Sequence, residues 1–267
     1  MRFKSLGSGS TGNGTLIEST GSGASTTRVL VDCGFGLKHL ERRLAEAGVQ
    51  PSDIDAVFIT HEHGDHIGCA STFARRFKIP VWMSHGTQMA IGPCEWNGLL
   101  NTARDGQSID LADLQLMPFT VPHDAREPLQ LTCSDGVSKL GILTDLGHCT
   151  QHVVTHLANC HALLIECNHD LDLLAQSAYP PFLKRRVGGQ HGHLSNQAAA
   201  DIVKSVKHAG LHTLVAAHLS TQNNRPDLAR LALASAAACD DENIGVADAL
   251  HGSPWLMVSH PGKSFHP

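Results

Sequence analysis

A single tyrosine, few aromatic residues and little charge of either sign mark this 267-residue chain by shortage. No apolar run approaches the ~20 residues that cross a bilayer as a helix, so a membrane-spanning helix is excluded. The opening MRFKSLGSGS has no hydrophobic signal core, and a cytoplasmic location is expected. CxxC pairs are missing as well. Cys33, Cys69, Cys94, Cys133, Cys149, Cys160, Cys167 and Cys239 are scattered, several in or beside apolar runs, and read as reduced core or near-site residues rather than a disulfide framework. Basic residues are outnumbered, 20 Lys and Arg against 25 Asp and Glu. The net charge of −5 removes support for a broad nucleic-acid-binding surface but leaves room for a local one. With no linker, charge block or repeat, residues 1–267 are expected to form one domain.

Histidine, by contrast, is abundant, with nineteen residues. Imidazole is the commonest metal ligand and the usual proton carrier near neutral pH. Strand-like runs fall at Thr15–Glu18, Arg28–Asp32, Ala56–Thr60, Pro80–Met83, Leu114–Val121, Leu129–Ser134, Lys139–Thr144, Ala162–Glu166, Thr213–Ala217 and Pro254–Val258. Helical signals mark Leu37–Ala47, Ser195–Ala209 and Pro226–Ala238. Strands pair early and alternate with helices late, which predicts layered α/β architecture with mixed sheets. Five runs end directly in metal-type residues: AVFIT in His61, LQLMPFTVP in His123, KLGILT in Asp145, TLVAA in His218, and ALLIEC in the cluster Asn168, His169 and Asp170. Strands of one core can bring their C-terminal ends to one edge, so a single convergent site is predicted.

His61-Glu62-His63-Gly64-Asp65-His66 places four ligand-type side chains within six residues of an apolar strand. Alternate side chains point differently, so the loop can serve two adjacent metals, with Gly64 at a sharp bend and Glu62 in support. Asp145 has the alternative of capping a turn, because Gly147 follows closely. His193 has the alternative of ordering the turn before the Ser195 helix. His148, His152, His156, His161, His208, His212, His251, His260 and His266 lack such context and read as surface or structural residues.

The pattern His-x-His-x-Asp-His after a strand resembles the signature of the metallo-β-lactamase superfamily. Further segments are similar to its YycJ/WalJ-type branch, which is linked to DNA exonuclease activity. They are LGSGSTGN, VDCG at Val31–Gly34, TDLG at Thr144–Gly147, ECNHD at Glu166–Asp170, GHLSN at Gly192–Asn196 and AHLSTQNNRP at Ala217–Pro226. The resemblance implies a four-layer αββα sandwich of two mixed sheets with a two-metal site at one edge. It implies His61, His63 and His123 at a first divalent metal, Asp65, His66 and His218 at a second, and Asp145 bridging both. His193 and His169 compete with His218 for the last position. The glycine-rich opening, through Ser10 and Asn13, and GHLSN, through His193 and Ser195, would contact a substrate phosphate.

Two metals ~3.5–4 Å apart can share and activate a bridging water. Zinc, manganese and iron all suit a histidine and carboxylate set. Asp65 would both ligate and orient the nucleophile, with His193 or His169 as proton donor. A carboxylate bridge without cysteine ligands suits phosphate chemistry, so the expected substrate is a phosphodiester in DNA or RNA. Lys184-Arg185-Arg186 reads either as a phosphate anchor or as a solvated helix end. With an acidic chain and no length for a large clamp insertion, long nucleic acid would have to use the site rim or a homo-oligomer. Two alternatives stand. One is a small-molecule or cyclic-nucleotide-type phosphodiesterase, which a closed, narrow pocket would favour; the other is a non-catalytic metal-binding accessory protein on the same fold. Gln88–Gly106 reads as a variable loop over the site, with Trp96 a stacking platform or a core residue.

Overall fold

Alternation within the strands decides how the chain stacks. In Ala162–Glu166, Leu163 and Ile165 point to one face while Ala162 and Leu164 point to the other, and all four are buried. A strand covered on both faces belongs inside a layered molecule. The computed structural model describes residues 1–21 and 25–258 and has that build; His260 and His266 lie outside the described residues.

Among the described residues, β1 (Arg2–Gly7), β2 (Gly14–Thr20), β3 (Thr26–Val31), β4 (Ala56–Phe58), β5 (Val81–Ser84) and β6 (Leu100–Ala103) form one sheet with the final strand, β14 (Leu256–Met257). The second sheet contains β7 (Ile109–Leu111), β8 (Leu114–Thr120), β9 (Leu129–Ser134), β10 (Lys139–Leu143), β11 (Ala162–Glu166), β12 (Thr213–Ala217) and β13 (Ile244–Val246). Their orders are β14-β1-β2-β3-β4-β5-β6 and β13-β12-β11-β10-β9-β8-β7. Both are mixed: pairing is antiparallel from β14 to β3 and from β7 to β10, then parallel from β3 to β6 and from β10 to β13.

The helices are α1 (Leu37–Glu46), α2 (Gly64–Ile67), α3 (Ala70–Phe77), α4 (His85–Ile91), α5 (Gln151–Leu157), α6 (Leu171–Gln176), α7 (Pro181–Val187), α8 (Asn196–Val206) and α9 (Pro226–Ala237). Three apolar layers follow. Phe3, Ile17 and Val29 meet Leu131, Ile142 and Leu164 between the sheets. Leu16, Leu30 and Val57 pack beneath Leu40, Leu44 and Phe73 of α1 and α3. Leu143, Leu163 and Ile165 pack beneath Val153, Ile202 and Leu233 of α5, α8 and α9. The stack is therefore α/β with an αββα order.

Some local expectations change. Ser195 caps α8 by accepting the Ala198 N–H at 3.1 Å, but the helix stops at Val206, because Lys207 turns extended. Gln88–Gly106 is not a loop over the site: it supplies the end of α4 and edge strand β6, and Trp96 is 7% exposed in the outer core. The cysteines are unpaired as expected, though Cys94, Cys149 and Cys239 are exposed rather than in the core.

The topology also places the site. Strands β8 and β10 both run antiparallel to β9, so their C-terminal ends share an edge with those of β11 and β12. In the other sheet β3 and β4 run parallel. Leu129 N–H donates to the Thr60 carbonyl at 2.9 Å, tying the sheets together there.

Candidate metal centre

The segment after β4 delivers His61, fully buried, and His63, and α2 delivers Asp65 and His66. His63 Nδ1 lies 3.0 Å from His61 Nε2 and 3.4 Å from His123 Nε2. The outer nitrogens are occupied: Thr60 Oγ1 lies 3.0 Å from His61 Nδ1, and His123 Nδ1 donates to the Gly192 carbonyl at 3.0 Å. One nitrogen of His61 and one of His123 is thus fixed, and the other in each ring faces His63 Nδ1. A second trio adjoins it. Asp65 Oδ2 is 3.6 Å from His66 Nε2 and 3.5 Å from His218 Nε2. Asp145 stands between the trios, with Oδ2 2.8 Å from His66 Nε2 and Oδ1 4.0 Å from His123 Nε2. Within each trio the donor atoms lie within 4.8 Å of one another.

Divalent metals fit these residues. His218 Nε2 is buried and makes no hydrogen bond, and Asp145 Oδ2, also buried, has only its ion pair with His66. Orphaned buried polar atoms cost about 1–3 kcal/mol each, so their convergence points to a missing partner of positive charge. Burial holds the His61 imidazole well below its ordinary pKa and hence neutral, as a ligand must be; His66 and His218, though buried, lie beside the carboxylates of Asp32, Asp145 and Glu166, are held above theirs and would give up a proton to a cation. Three non-glycine residues here adopt left-handed backbone: Asp32 (φ 64°), Asp145 (φ 60°) and His218 (φ 53°). Each follows a strand closely, and such conformers cost of order 1–3 kcal/mol. The strain turns their side chains back into the cluster.

Two buried carboxylates that the sequence reading did not select hold the ligand-type residues from behind. Asp32 Oδ2 accepts from His66 Nδ1 at 2.7 Å, and Oδ1 accepts the Thr60 N–H at 2.9 Å. Glu166 accepts from His193 Nδ1 at 2.7 Å, His218 Nδ1 at 3.2 Å, Leu146 N–H at 2.9 Å and Leu194 N–H at 3.1 Å. Burial would raise the Glu166 carboxyl, but His193 and His218 draw it down to about 2. Such partners set the tautomer and orientation of a metal-binding imidazole. Their signal was an acidic residue at a strand end, in VDCG and ECNHD. Burial would likewise lower His193, yet Glu166 and Asp145 hold it at about 11.

Several expected substrate contacts are spent within the protein. Asn13 is buried; its amide meets the Asp65 carbonyl at 3.2 Å and His66 Nε2 at 3.1 Å, so it braces the loop instead of facing solvent. Ser195 is used as the α8 cap. His169 is 1% exposed and absent from the cavity wall, whereas His193 lies on it. Ser10 is exposed and also reaches the wall. Glu62 points aside and accepts the Arg126 N–H at 2.7 Å. Arg186, at the end of α7, lines the cavity and donates to Asp124 Oδ2 at 2.8 Å; Asp124 Oδ1 is in turn 3.4 Å from His123 Nε2. Asp124 was not singled out from the sequence.

Gly64 is not the tight point of this loop, because a Cβ there would meet nothing. Gly34 is, since its Cβ would overlap the Asp65 carbonyl. Gly34→Ala is expected to cost about 1–3 kcal/mol through overpacking. It should also lower retained metal by shifting Asp65 and Asn13. Urea denaturation and elemental analysis check this, and an unchanged midpoint with full metal content would contradict the close approach.

Fold and site together define a metal-dependent hydrolase with adjoining ligand sets at the edge of an αββα sandwich. The profile of the metallo-β-lactamase superfamily matches residues 8–164, and the chain belongs to that superfamily. Exodeoxyribonuclease WalJ of Streptococcus pneumoniae serotype 2 is 30% identical over 251 residues, covering 92% of this chain and 91% of that one. Exodeoxyribonuclease YycJ of Bacillus anthracis is 30% identical over 255 residues, covering 93% of each. The metallo-β-lactamase fold protein YhfI from Bacillus subtilis superposes with a TM-score of 0.72 at 18% identity, over 93% of this chain and 96% of that one, a likeness of fold alone.

Proposed function

We propose that this chain is an exonuclease that hydrolyses phosphodiesters in DNA, with His61, His63 and His123 at one metal, Asp65, His66 and His218 at the other, and Asp145 between them. The observation that carries the reading is the cavity of about 400 Å³ whose lining includes Asp65, Asp145, His193, His218 and Arg186. That size lies toward the small end of the roughly 300–1,000 Å³ of ligand pockets and admits one nucleotide, terminal or free, rather than a length of duplex. The names of the two relatives that this chain covers almost fully support DNA as the polymer.

Bound zinc or manganese supplies Lewis-acid charge and an activated water. Asp65, partly exposed beside the cavity, orients the nucleophile. The His193 imidazolium, held through Nδ1 by Glu166, offers the Nε2 proton to the leaving oxygen. Arg186, steadied by Asp124, meets the non-bridging phosphate oxygens. His169 has no place in this scheme, since it does not reach the cavity.

The test uses end-labelled single- and double-stranded DNA and RNA with metal-stripped protein, then protein reloaded with Mn²⁺ or Zn²⁺. Progressive shortening of DNA ends by the reloaded protein, absent when stripped and in Asp65→Ala, is expected. Cleavage of bis-p-nitrophenyl phosphate with every polymer intact would replace this reading with a small-molecule phosphodiesterase.

A further inference from the structure

We propose a second, peripheral metal site formed by Asp105, His152 and His156, which takes one zinc-class divalent cation independently of the central cluster. His152 and His156 are four residues apart on α5, so both rings leave the same helix face, with centroids 4.5 Å apart. Asp105, in the turn between β6 and β7, places Oδ1 2.8 Å from His152 Nε2. Donor atoms of all three residues lie within 4.8 Å of one another.

The framework that carries them is fixed from three directions. His156 stacks on Phe119 of β8, with centroids 4.8 Å apart and planes 12° apart. Asp105 Oδ1 also accepts the Thr120 N–H at 3.0 Å. Thr150 caps α5 by accepting the Val153 N–H at 3.3 Å. The donors are therefore positioned before any cation arrives, which lowers the ordering cost of binding.

Two imidazoles and a carboxylate form a donor set that zinc accepts in tetrahedral geometry, with water in the fourth position. Burial holds His156 below its ordinary pKa, so its ring is neutral at pH 7 and can ligate. His152 Nε2 lies in hydrogen-bond contact with Asp105 Oδ1, and the neutral tautomer with its proton on Nδ1 presents the Nε2 lone pair to a cation. These two histidines lacked any metal context in the sequence, because Asp105 lies 47 positions before His152. The surrounding hollow also includes Val121 and Pro122, the residues that lead directly into His123.

The test starts from full-length protein with its central cluster saturated with zinc. Calorimetric titration with further Zn²⁺ should show one additional equivalent per chain. The double substitution His152→Ala, His156→Ala should lose that equivalent while keeping the central metals and the rate of diester hydrolysis. Cu²⁺ offers a second readout: nitrogen coupling in the electron paramagnetic resonance spectrum of that equivalent should vanish in the variant. Wild-type protein that binds nothing beyond its central metals, or a variant that retains the extra equivalent, would overturn the proposal.

Discussion

Asp145→Asn is expected to slow diester hydrolysis by roughly 10²–10³-fold or more, the scale of losing one pre-organised electrostatic partner at a reacting centre. Asparagine keeps the volume, so the loss reports charge. Asp145 is 2% exposed, left-handed in backbone and set between the two trios, where its oxygens reach toward His66 and His123. Burial alone would raise its carboxyl, but the charges of His218 and His66 hold it well below the usual range, so it stays ionised. An amide there can offer one oxygen at most and turns an NH₂ toward ring nitrogens or a cation. Initial rates on bis-p-nitrophenyl phosphate, read beside bound metal per chain, check the expectation. A variant with full metal content and an undiminished rate would remove Asp145 from the bridging role.

Glu166→Gln should act differently, through both stability and metal affinity. The carboxylate is fully buried and accepts four hydrogen bonds, two from histidines and two from backbone N–H groups. Glutamine replaces one acceptor oxygen with an NH₂ that must face an N–H or ring donor. Removing one partner of a buried ion pair costs about 3–5 kcal/mol, because the other charge is left uncompensated. Loosening the imidazole that a carboxylate orients typically costs about 10–100-fold in metal affinity or activity. Denaturation of the metal-stripped variant isolates the first effect, and competition with a chelator measures the second. Wild-type stability when stripped would show that Glu166 does not bear the charge of His193 and His218. Unchanged affinity would show that it does not orient His218.

The placement of His123, Asp145 and His218 at strand ends was readable from local pattern because a buried strand and the residue after it are adjacent in the chain. What was not readable was which polar groups remain available. Asn13 and Asp65 are 52 positions apart, and Asp124 and Arg186 are 62 apart. Those pairings depend on the strand order within each sheet, which brings the segments after β1 and β4, and those after β8 and β11, together at one edge. Strands β1, β6, β7 and β13 escaped notice because each is short or carries charged and polar residues at a sheet edge or near one.

By itself, then, the sequence determined layered α/β architecture with mixed sheets and a cluster of ligand-type residues at His61–His66, since strand periodicity and residue spacing are properties of neighbouring residues; the αββα order came from the family resemblance. Only the tertiary structure decided that Asp32 and Glu166 stand behind the ligand-type histidines, that Asn13 and Ser195 are consumed internally, and that His193 rather than His169 reaches the cavity. Burial and hydrogen-bond partners come from distant segments, and a group already bonded or enclosed has nothing left to offer a substrate.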